Sequence, residues 1–230
     1  MKNIVILTGA GISAESGIKT FRGSDGLWEN HKVTDVATPE AWQRDPELVL
    51  RFYNERRKQI RQAQPNKAHT ALVELEAKYQ VDTITQNIDD LHERAGSSNV
   101  MHLHGEINQS RSSINPQLVY EIDDVEMNMG ELCELNSQLR PNIVWFGEAV
   151  PMIESAIPIM HKADIVIVIG TSLQVYPAAG LLDFARPKAQ VFNIDPNSSM
   201  QSNQDNLTII KQNAGVAVPV LVKKLLNPFH

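Results

Sequence analysis

Several short apolar segments of this chain end in residues whose types and spacing could do chemistry. The first, residues 3–7, runs into Gly9-Ala10-Gly11-Ile12-Ser13-Ala14-Glu15. Glycines at this spacing allow a tight turn and a close backbone approach to a pyrophosphate, which the free N–H groups of the loop would face. The pattern predicts a dinucleotide-binding loop, although a glycine-rich turn can also be no more than a turn.

A second polar cluster, Gln-Asn-Ile-Asp at residues 86–89, follows the apolar segment 81–85. Amide and carboxylate side chains at the carboxyl end of a parallel strand open into a ligand cleft and can hydrogen-bond an amide group. Asn87 or Asp89 could instead cap a helix predicted over residues 90–94. The two roles can coexist.

Two histidines, His102 and His104, stand two residues apart at a further strand end, so that on a strand they would share a face. No Cys or third ligand at a suitable spacing supports a metal pair. A neutral imidazole suits general-base catalysis, but an isolated histidine is most often structural. The residues alone leave both readings open for His104, and we expect His102 to be structural.

Segments of continuous β-branched residues, typical of buried parallel strands, must position these groups. They cover residues 3–7, 81–85, 165–169 and 191–194, with 100–103 and 143–146 as further candidates. Helical patterns cover residues 46–62, 67–79, 152–161 and 216–226. This alternation predicts an α/β fold with a Rossmann-like, doubly wound parallel sheet.

Two stretches break the alternation. Residues 25–65 contain helical patterns but no strand, and residues 107–139 show no convincing helix or strand. We therefore predict a single domain over 1–230, in which a Rossmann-like part of about 1–24, 66–106 and 140–230 carries a smaller subdomain of about 25–65 and 107–139. The acidic run in 107–139 could bind calcium, but its irregular spacing favours a solvated face.

Composition narrows the class of protein. The chain has 230 residues, 42% of them hydrophobic and 21% charged, which is typical of a globular protein. A net charge of -6 disfavours a dedicated nucleic-acid binder. The one cysteine, Cys133, excludes an intramolecular disulfide and a cysteine-rich zinc cluster. The apolar runs are too short for a signal peptide or a membrane span, so we expect a cytoplasmic protein, and a monomer is compatible with these features.

In its motifs the chain resembles a sirtuin, the family of NAD-dependent protein lysine deacylases. The motifs lie in family order across nearly the whole chain and are Gly9-Ala10-Gly11-Ile12-Ser13, Thr20-Phe21-Arg22-Gly23, Gln86-Asn87-Ile88-Asp89, His104-Gly105, Phe146-Gly147-Glu148, Gly170-Thr171-Ser172-Leu173 and Asn193-Ile194-Asp195. The resemblance implies NAD as a co-substrate and acyl-lysine proteins or peptides as partners.

The resemblance also assigns residues. His104 would be the general base and Asn87 a second catalytic residue. NAD would be bound by Gly9, Ala10, Gly11, Ser13, Ala14, Glu15, Thr20, Phe21, Arg22, Gln86, Asn87, Ile88, Asp89, Gly170, Thr171, Ser172, Asn193, Asp195 and Ala214. Phe21 would shield the reactive ribose or pack as an ordinary core aromatic, and Asp195 could only form a turn before Pro196.

The implied reaction begins with attack of the acyl oxygen on the anomeric carbon of the nicotinamide ribose as nicotinamide leaves. His104 then deprotonates a ribose hydroxyl, which attacks the resulting alkylimidate. The products would be free lysine, nicotinamide and 2'-O-acyl-ADP-ribose. The peptide would be captured through main-chain bonds as an added strand, between Val144 and Phe146-Gly147-Glu148 on one side and Leu173-Gln174-Val175 on the other.

Most sirtuins hold a structural zinc with two Cys-x-x-Cys pairs, whereas the corresponding residues 109–113 and 129–133 contain only Cys133. The sequence thus predicts no zinc and a module held by apolar packing. The residues available for it are Ile114, Leu118, Val119, Tyr120, Ile122, Val125, Met127, Met129, Leu132, Leu135 and Leu139.

Tyr53 and Arg56 lie three residues apart on the helix predicted over residues 46–62, so they share a face. A phenol and a guanidinium can hold a carboxylate, and the pair matches the motif of the bacterial sirtuin class that removes succinyl or malonyl groups. A solvated basic face, with Tyr53 merely packed, is the other reading.

Four functions remain in competition. They are a lysine deacylase, an ADP-ribosyltransferase or NAD glycohydrolase on the same site, a non-enzymatic NAD sensor or scaffold, and a dehydrogenase. The missing ribose-binding carboxylate argues against the dehydrogenase. His104 and the peptide cleft favour the deacylase.

Overall fold

The computed structural model describes residues 1–19, 28, 30–124, 126–173, 175–198, 200 and 205–227. Their strands are β1 (Asn3–Thr8), β2 (Gln80–Thr85), β3 (Val100–His102), β4 (Gly105–Ser112), β5 (Val119–Glu121), β6 (Leu139–Ile143), β7 (Ile165–Ile169), β8 (Gln190–Ile194) and β9 (Leu207–Ile210). Their α-helices are α1 (Val33–Val36), α2 (Pro39–Arg44), α3 (Pro46–Gln62), α4 (Lys67–Glu74), α5 (Leu91–Ala95), α6 (Ile153–Met160) and α7 (Ala214–Leu226). Short 3-10 helices cover Ala10–Ser16, Leu75–Ala77 and Ala178–Phe184.

Six strands form a parallel sheet in the order β3-β2-β1-β7-β8-β9. The central strand β1 alternates between two cores. Ile4 and Ile6 pack with side chains of α4 and α7, whereas Val5 and Leu7 pack with side chains of α6 and the 3-10 helix at Ala178–Phe184. Because both faces are buried, the strand is apolar throughout, which explains why uninterrupted apolar segments predicted it.

The predicted α/β fold with a doubly wound parallel sheet is confirmed, and five of the predicted strands agree with the structure to within one residue at each end. The strand predicted over residues 143–146 is wrong, because β6 ends at Ile143 and belongs to another sheet. Val144 N and Phe146 N make single bonds to His104 O (2.9 Å) and Ala37 O (3.0 Å) instead of a ladder. The sixth parallel strand is β9, a four-residue edge strand that the sequence pattern did not reveal.

The expectation that residues 107–139 form no strand is also wrong. Strands β5, β4 and β6 form an antiparallel sheet in that order. The buried positions of β4 include Ser110 and Ser112 beside Ile107. The strand therefore lacks the alternation of apolar and polar residues by which a half-buried strand is recognised.

Apolar packing does not hold this module in the way that the sequence suggested. Of the eleven apolar side chains named for it, Met127 is buried, Val125 lies outside the described residues, and the others are partly or largely exposed. The most exposed ones, with 41–66% of their surface accessible, are Ile114, Val119, Met129, Leu132 and Leu135.

Polar groups of α3 hold the module instead. Arg57 Nε donates to Ile107 O (2.8 Å), and Arg61 Nη2 donates to Ile122 O (2.7 Å). The Asn54 side-chain amide exchanges two hydrogen bonds of 3.0 Å with the backbone of Met127. Arg57 is fully buried, and burial lowers the pKa of its guanidinium to about 10. Helix α3 is thus one of the elements that join the module to the rest of the fold, together with the loop after β2, where Ile107 N donates to Ile88 O (2.9 Å).

The predicted helical character of residues 25–65 is confirmed where the structure describes them. Helix α3 begins and ends as predicted, with the Asp45 side chain accepting a hydrogen bond from Leu48 N (2.9 Å) and with Pro46 in its first turn. Its inner face packs Tyr53 and Ile60 into a core shared with Ile107. Among the described residues, every helix is too short or too polar to traverse a membrane.

Candidate active site

The carboxyl ends of β1, β2, β7 and β8 open into a cavity of about 720 Å³, whose opposite wall is formed by α3 and the segment that follows β6. Most of the predicted site residues line it: Gly9, Ala10, Gly11, Ser13, Ala14, Glu15, Tyr53, Arg56, Gln86, Asn87, Ile88, Asp89, His104, Val144, Phe146, Gly147, Glu148, Gly170, Thr171, Ser172, Val175, Asp195 and Ala214. Thr20, Phe21, Arg22 and Gln174 lie outside the described residues.

The glycine loop after β1 packs directly on the loop after β7. Gly11 N donates to Gly170 O (2.9 Å) and Gly9 N donates to Ile169 O (3.0 Å), so these two N–H groups do not face an anion as predicted. A Cβ on Gly11 would lie 2.6 Å from Gly170 Cα. The glycines are therefore required for the contact between two cavity loops.

Glu15 connects the glycine loop to the start of α7. Its Oε2 accepts a hydrogen bond from Gly215 N (2.6 Å), one residue after the cavity residue Ala214. A carboxylate at a helix N-terminus satisfies a free N–H group and is favoured by the helix dipole. Glu15 thus fixes the distance between two walls of the cavity.

The loop after β2 is held from several sides. Asn87 Nδ2 donates to Ser13 Oγ (3.2 Å), and Ser13 Oγ donates to Asp89 Oδ2 (3.0 Å). Gln86 Nε2 donates to Thr171 Oγ1 (3.2 Å). Asp89 Oδ1 also accepts from Leu91 N (3.3 Å), the first N–H group of α5, so this residue contacts the helix start and faces the cavity at once. Burial raises the pKa of its carboxyl, against the hydrogen bonds from Ser13 and Leu91.

His104 presents one ring nitrogen to this loop. Its Nδ1 lies 2.9 Å from Gln86 O. Because a carbonyl only accepts, Nδ1 carries the hydrogen and the lone pair of the neutral ring is on Nε2. Burial lowers the pKa of His104 and outweighs the hydrogen bond to Gln86. The ring is therefore neutral at neutral pH, with one nitrogen able to accept a proton.

Asn193 and Leu173 are predicted site residues that the described cavity wall does not include. Leu173 belongs to the segment proposed to bind the peptide.

Asn193 was expected to contact NAD. Asn193 lies inside β8 with 1% of its surface exposed, and its Oδ1 has no hydrogen-bond partner among the described residues. Strand β8 lies between β7 and β9 with both faces covered, so the Asn193 side chain stays in the interior. Asp195, two residues later, lines the cavity and also accepts from Asn197 N (2.7 Å), which is the turn considered as its alternative role.

Tyr53 and Arg56 enter the cavity wall from α3, as the helical spacing predicted. Both side chains are buried. Tyr53 Oη accepts a hydrogen bond from Trp145 Nε1 (3.1 Å), and burial, the largest effect, raises the pKa of the phenol. The guanidinium of Arg56 lies 5.2 Å from the ring centroid of Trp28 and donates to Gln59 Oε1 (3.4 Å). These contacts rule out the solvated basic face for Arg56.

The side chain of Glu148 is engaged within the protein. It accepts from Arg140 Nη1 (2.6 Å), Arg111 Nη2 (3.2 Å) and Trp145 N (2.8 Å). Burial would raise the pKa of Glu148, but these hydrogen bonds and the two guanidinium charges lower it. Glu148 therefore holds the segment 145–148 in place, and only its backbone is available for a ligand.

A family model for the Sir2 family matches residues 9–177 of this chain. The chain belongs to the Sir2 family. The matched range contains the glycine loop, the loop at residues 86–89, His104 and the segment 145–148.

Relatives and solved structures agree with this membership. The chain is 54% identical over 227 residues to an NAD-dependent protein deacylase of Helicobacter pylori (strain ATCC 700392 / 26695), covering 99% of each chain. The crystal structure of a Sir2 homolog in complex with NAD has a TM-score of 0.87 and 39% identity, covering 100% of this chain and 91% of that one. A Sir2 complex with a p53 peptide and NAD⁺ has a TM-score of 0.77 and 34% identity, covering 98% and 92%.

The sequence analysis of this Sir2-family chain missed several cavity residues. The most consequential is Trp145, whose indole contacts Tyr53 and whose ring centroid lies 3.2 Å from Arg140 Cζ. Its position directly before Phe146-Gly147-Glu148 was the available signal. Other cavity residues that it did not name are Ile18, Lys19, Trp28, Ala37, Ile60, Ile143, Val150, Tyr176, Asn197 and Asn213.

The module that carries zinc in most sirtuins does not fit a zinc ion here. Cys133 is the chain's only cysteine, and its thiol donates to Ser112 Oγ (3.3 Å). Among the described residues, no group of three or more His, Cys, Asp or Glu side chains is arranged to hold a metal ion.

Proposed function

We propose that this enzyme removes acidic acyl groups, such as succinyl and malonyl, as well as acetyl groups from protein lysines. NAD-dependent protein deacylation itself is the activity of this Sir2-family chain. The observation that carries the finer proposal is the position of Tyr53 and Arg56, which line the same cavity as His104.

The geometry supports specific roles for this chain's residues. The glycine loop, residues 86–89 and residues 170–172 would bind NAD, with Glu15, Asp195 and Ala214 at the α7 side of the cavity. NAD supplies the electrophilic ribose carbon and the leaving nicotinamide when it is bound. His104 would take a proton from a ribose hydroxyl through Nε2, because its Nδ1 is committed to Gln86 O. Asn87 would orient the co-substrate beside it.

The direction of the hydrogen bond to the Tyr53 hydroxyl favours a negatively charged ligand. An indole N–H can only donate, so Trp145 Nε1 occupies an acceptor site of the phenol oxygen. The phenol hydrogen is then free to be donated to another acceptor. Because burial raises the pKa of Tyr53, this hydrogen is retained throughout the neutral range. With the cation of Arg56 one helical turn away, the two groups suit a carboxylate at the far end of an acyl chain.

The peptide itself would be held by main-chain groups. Val144, Phe146 and Gly147 line the cavity on one side and Val175 on the other. The Glu148 carboxylate fixes the first segment from inside through Arg140 and Arg111. Main-chain capture between two such segments would tolerate varied substrate sequences.

The test compares succinyl-lysine and acetyl-lysine versions of one peptide, with nicotinamide release measured for wild type and Arg56→Met. A charged hydrogen-bonded pair contributes about 1.5–3 kcal/mol, so we expect succinyl turnover to fall by roughly tenfold to a hundredfold and acetyl turnover to change much less. Arg51→Met is the matched control, because Arg51 is an exposed arginine of the same helix.

Three results would contradict the acidic-acyl pocket. Wild type could fail to process succinyl and malonyl peptides, Arg56→Met could lower both rates equally, or Arg51→Met could act like Arg56→Met. Nicotinamide release that does not depend on acyl-peptide would instead favour the ADP-ribosyltransferase or glycohydrolase reading of the site.

We also propose that the chain is a single domain, divided as the sequence predicted, that it is cytoplasmic, and that its small module works without zinc. The division is supported by the separate antiparallel sheet and by the core that α3 shares with it. The zinc-free state is supported by the single thiol.

A further inference from the structure

His102 contacts the loop that lines the cavity although its side chain is not part of the cavity wall. Its Nδ1 lies 2.9 Å from Asn87 O, and its Nε2 lies 2.8 Å from Glu93 Oε1 on α5. The side chain is 7% exposed. His102 therefore bridges a helix and the backbone of a residue that faces the cavity.

The partners of His102 determine its protonation. A carbonyl and a carboxylate are both acceptors, so both ring nitrogens must donate and the ring is an imidazolium. His104 differs, because a single carbonyl, Gln86 O, contacts its ring. The two histidines thus hold successive carbonyls of the same loop, one as a cation and one as a neutral base.

The rest of Asn87 is fixed as well. Its backbone N donates to Thr85 Oγ1 (3.0 Å), and its side chain donates to Ser13 Oγ (3.2 Å). The main-chain carbonyl is the remaining backbone polar group of this residue, and His102 holds it. Loss of that bond would free the peptide plane between Asn87 and Ile88, both of which line the cavity.

We propose that His102, kept as an imidazolium by Glu93, is a positioning residue that fixes the Asn87 carbonyl and so holds the loop in its NAD-binding conformation. It does not touch the reacting atoms. Its contribution should therefore appear in the use of NAD and should be lost when the ring loses its second proton.

The charges around His102 give the direction of the pH dependence. The titratable groups that face it are Glu93 and His92 on α5, Asp89 in the loop, and Glu106 on β4. Burial would lower the pKa of His102, but the hydrogen bond and charge of Glu93, the Asn87 carbonyl and the charge of Glu106 raise it. Below the pKa of His102 both ring nitrogens donate. Above it a single hydrogen remains, and because the Glu93 carboxylate is a stronger acceptor than a carbonyl, the bond to Asn87 O is the one that is lost.

The test is the pH profile of kcat/KM for NAD with a saturating acetyl-lysine peptide, in wild type and Glu93→Gln. Glutamine keeps the size and a hydrogen-bonding oxygen but removes the charge that retains the second proton. We expect the alkaline limb of the profile to move to lower pH, so that kcat/KM falls by about threefold to tenfold at the alkaline end, the size of one lost hydrogen bond. Below neutral pH the two proteins should be nearly equal.

Glu106→Gln is the graded control. The charge of Glu106 acts on His102 without a hydrogen bond, so removing it should shift the alkaline limb of the profile less.

A second variant and a direct titration complete the experiment. His102→Gln offers a donor to Asn87 O but does not titrate, so it should lower kcat/KM for NAD without the alkaline limb. NMR of histidine-labelled protein follows the titration directly. The His102 signal is identified by its absence in His102→Gln, and it should titrate at lower pH in Glu93→Gln.

Three results would overturn the proposal. The alkaline limb could stay in place while the His102 titration moves, the limb could persist in His102→Gln, or His102 could titrate below the usual histidine range in wild type. A role in folding alone would lower activity at every pH and leave the limb where it is.

Discussion

At one end of the cavity, Gly9, Gly11 and Gly170 bring two loops together through backbone hydrogen bonds of 2.9–3.0 Å. At the other end, side chains hold the segment after β6, with Trp145 bonded to Tyr53 of α3 at 3.1 Å and Glu148 bonded to Arg140 of β6 at 2.6 Å. We call these the glycine end and the α3 end. The first depends on the absence of side chains and the second on particular ones.

The difference determines what each end can tolerate. A close approach of two backbones fails as soon as a Cβ is added, whatever its chemistry. A wall of side chains can be changed one group at a time, and each change alters what fits there. The glycine end is therefore suited to a ligand that never varies, such as NAD, and the α3 end to an acyl group whose terminus varies.

His104 lies between the two ends, and its removal should produce the largest effect. In His104→Ala we expect kcat to fall by roughly 10²–10⁴-fold, because the proposed general base is lost while the residues proposed for binding at both ends remain. NAD binding by calorimetry and thermal melting serve as controls for the folded site.

The pH profile of wild-type kcat/KM gives a second measurement. Because burial lowers the pKa of His104, the acidic limb of this profile should lie below the usual histidine range. Substantial turnover by the folded variant would show that another group is the base.

Gly170→Ala should disrupt the close packing of the two loops at the glycine end. Gly170 has φ +61°, and a Cβ on it would lie 2.4 Å from Ile12 N. We expect a loss of roughly 3 kcal/mol or more in the free energy of unfolding and a matching loss of NAD affinity, because overpacking adds to backbone strain. Urea denaturation and NAD titration measure the two quantities.

Gly17→Ala separates strain from overpacking. Gly17 has φ +85° but nothing within 4 Å of the added Cβ. Its cost should be about 1–2 kcal/mol, from the left-handed backbone alone. Equal losses in the two variants would mean that the close approach of the loops is not what the glycine end requires.

Trp145→Phe should alter the α3 end while leaving the glycine end intact. Phenylalanine keeps a ring beneath Arg140 but removes the N–H that orients the Tyr53 hydroxyl. We expect the ratio of succinyl to acetyl kcat/KM to fall by about threefold to tenfold, the size of one hydrogen bond.

A double-mutant cycle isolates this effect. If Trp145 acts through the Tyr53 hydroxyl, Trp145→Phe should have little further effect on the ratio in a Tyr53→Phe background. Trp42→Phe is the matched control, because Trp42 packs beside Trp145 with ring centroids 5.8 Å apart and has no bond to Tyr53. Additive losses in the double variant would mean that Trp145 only shapes the pocket.

The sequence predicted which residues form the glycine end, although not that Gly9 N and Gly11 N bond to the loop after β7, and it predicted the α3 end in part. Uninterrupted apolar strands followed by glycines form a local pattern, so residues 9–15 and 86–89 could be placed from neighbours in the chain. Tyr53 and Arg56 also followed from helical spacing. Trp145 could not be linked to Tyr53, because the two residues are 92 positions apart and only the fold brings them together.

The antiparallel sheet and β9 were missed for a related reason. Strand β4 buries Ser110 and Ser112, and the Ser112 hydroxyl accepts a hydrogen bond from the Cys133 thiol within the module, so the pattern of the strand is not apolar. Strand β9 is short and lies at the sheet edge with only partial burial. Asn193 shows the opposite case, because its type suggested a ligand contact whereas its strand position buries it, and its role stays a prediction.

The smallest expected effect belongs to metal removal. A single thiol cannot complete a tetrahedral thiolate site, so strong zinc chelators should leave both the melting temperature and kcat/KM unchanged. An unchanged value is informative only if the assay can detect a loosened module, and Arg61→Met supplies that control. Arg61 donates to Ile122 O (2.7 Å) and to Asp123 O (3.2 Å), so its removal should lower the melting temperature by several degrees, as expected for about 1–2 kcal/mol. If chelation lowers the melting temperature as much as Arg61→Met does, and metal analysis finds one zinc per chain, then a metal and not the polar face of α3 holds the module in place.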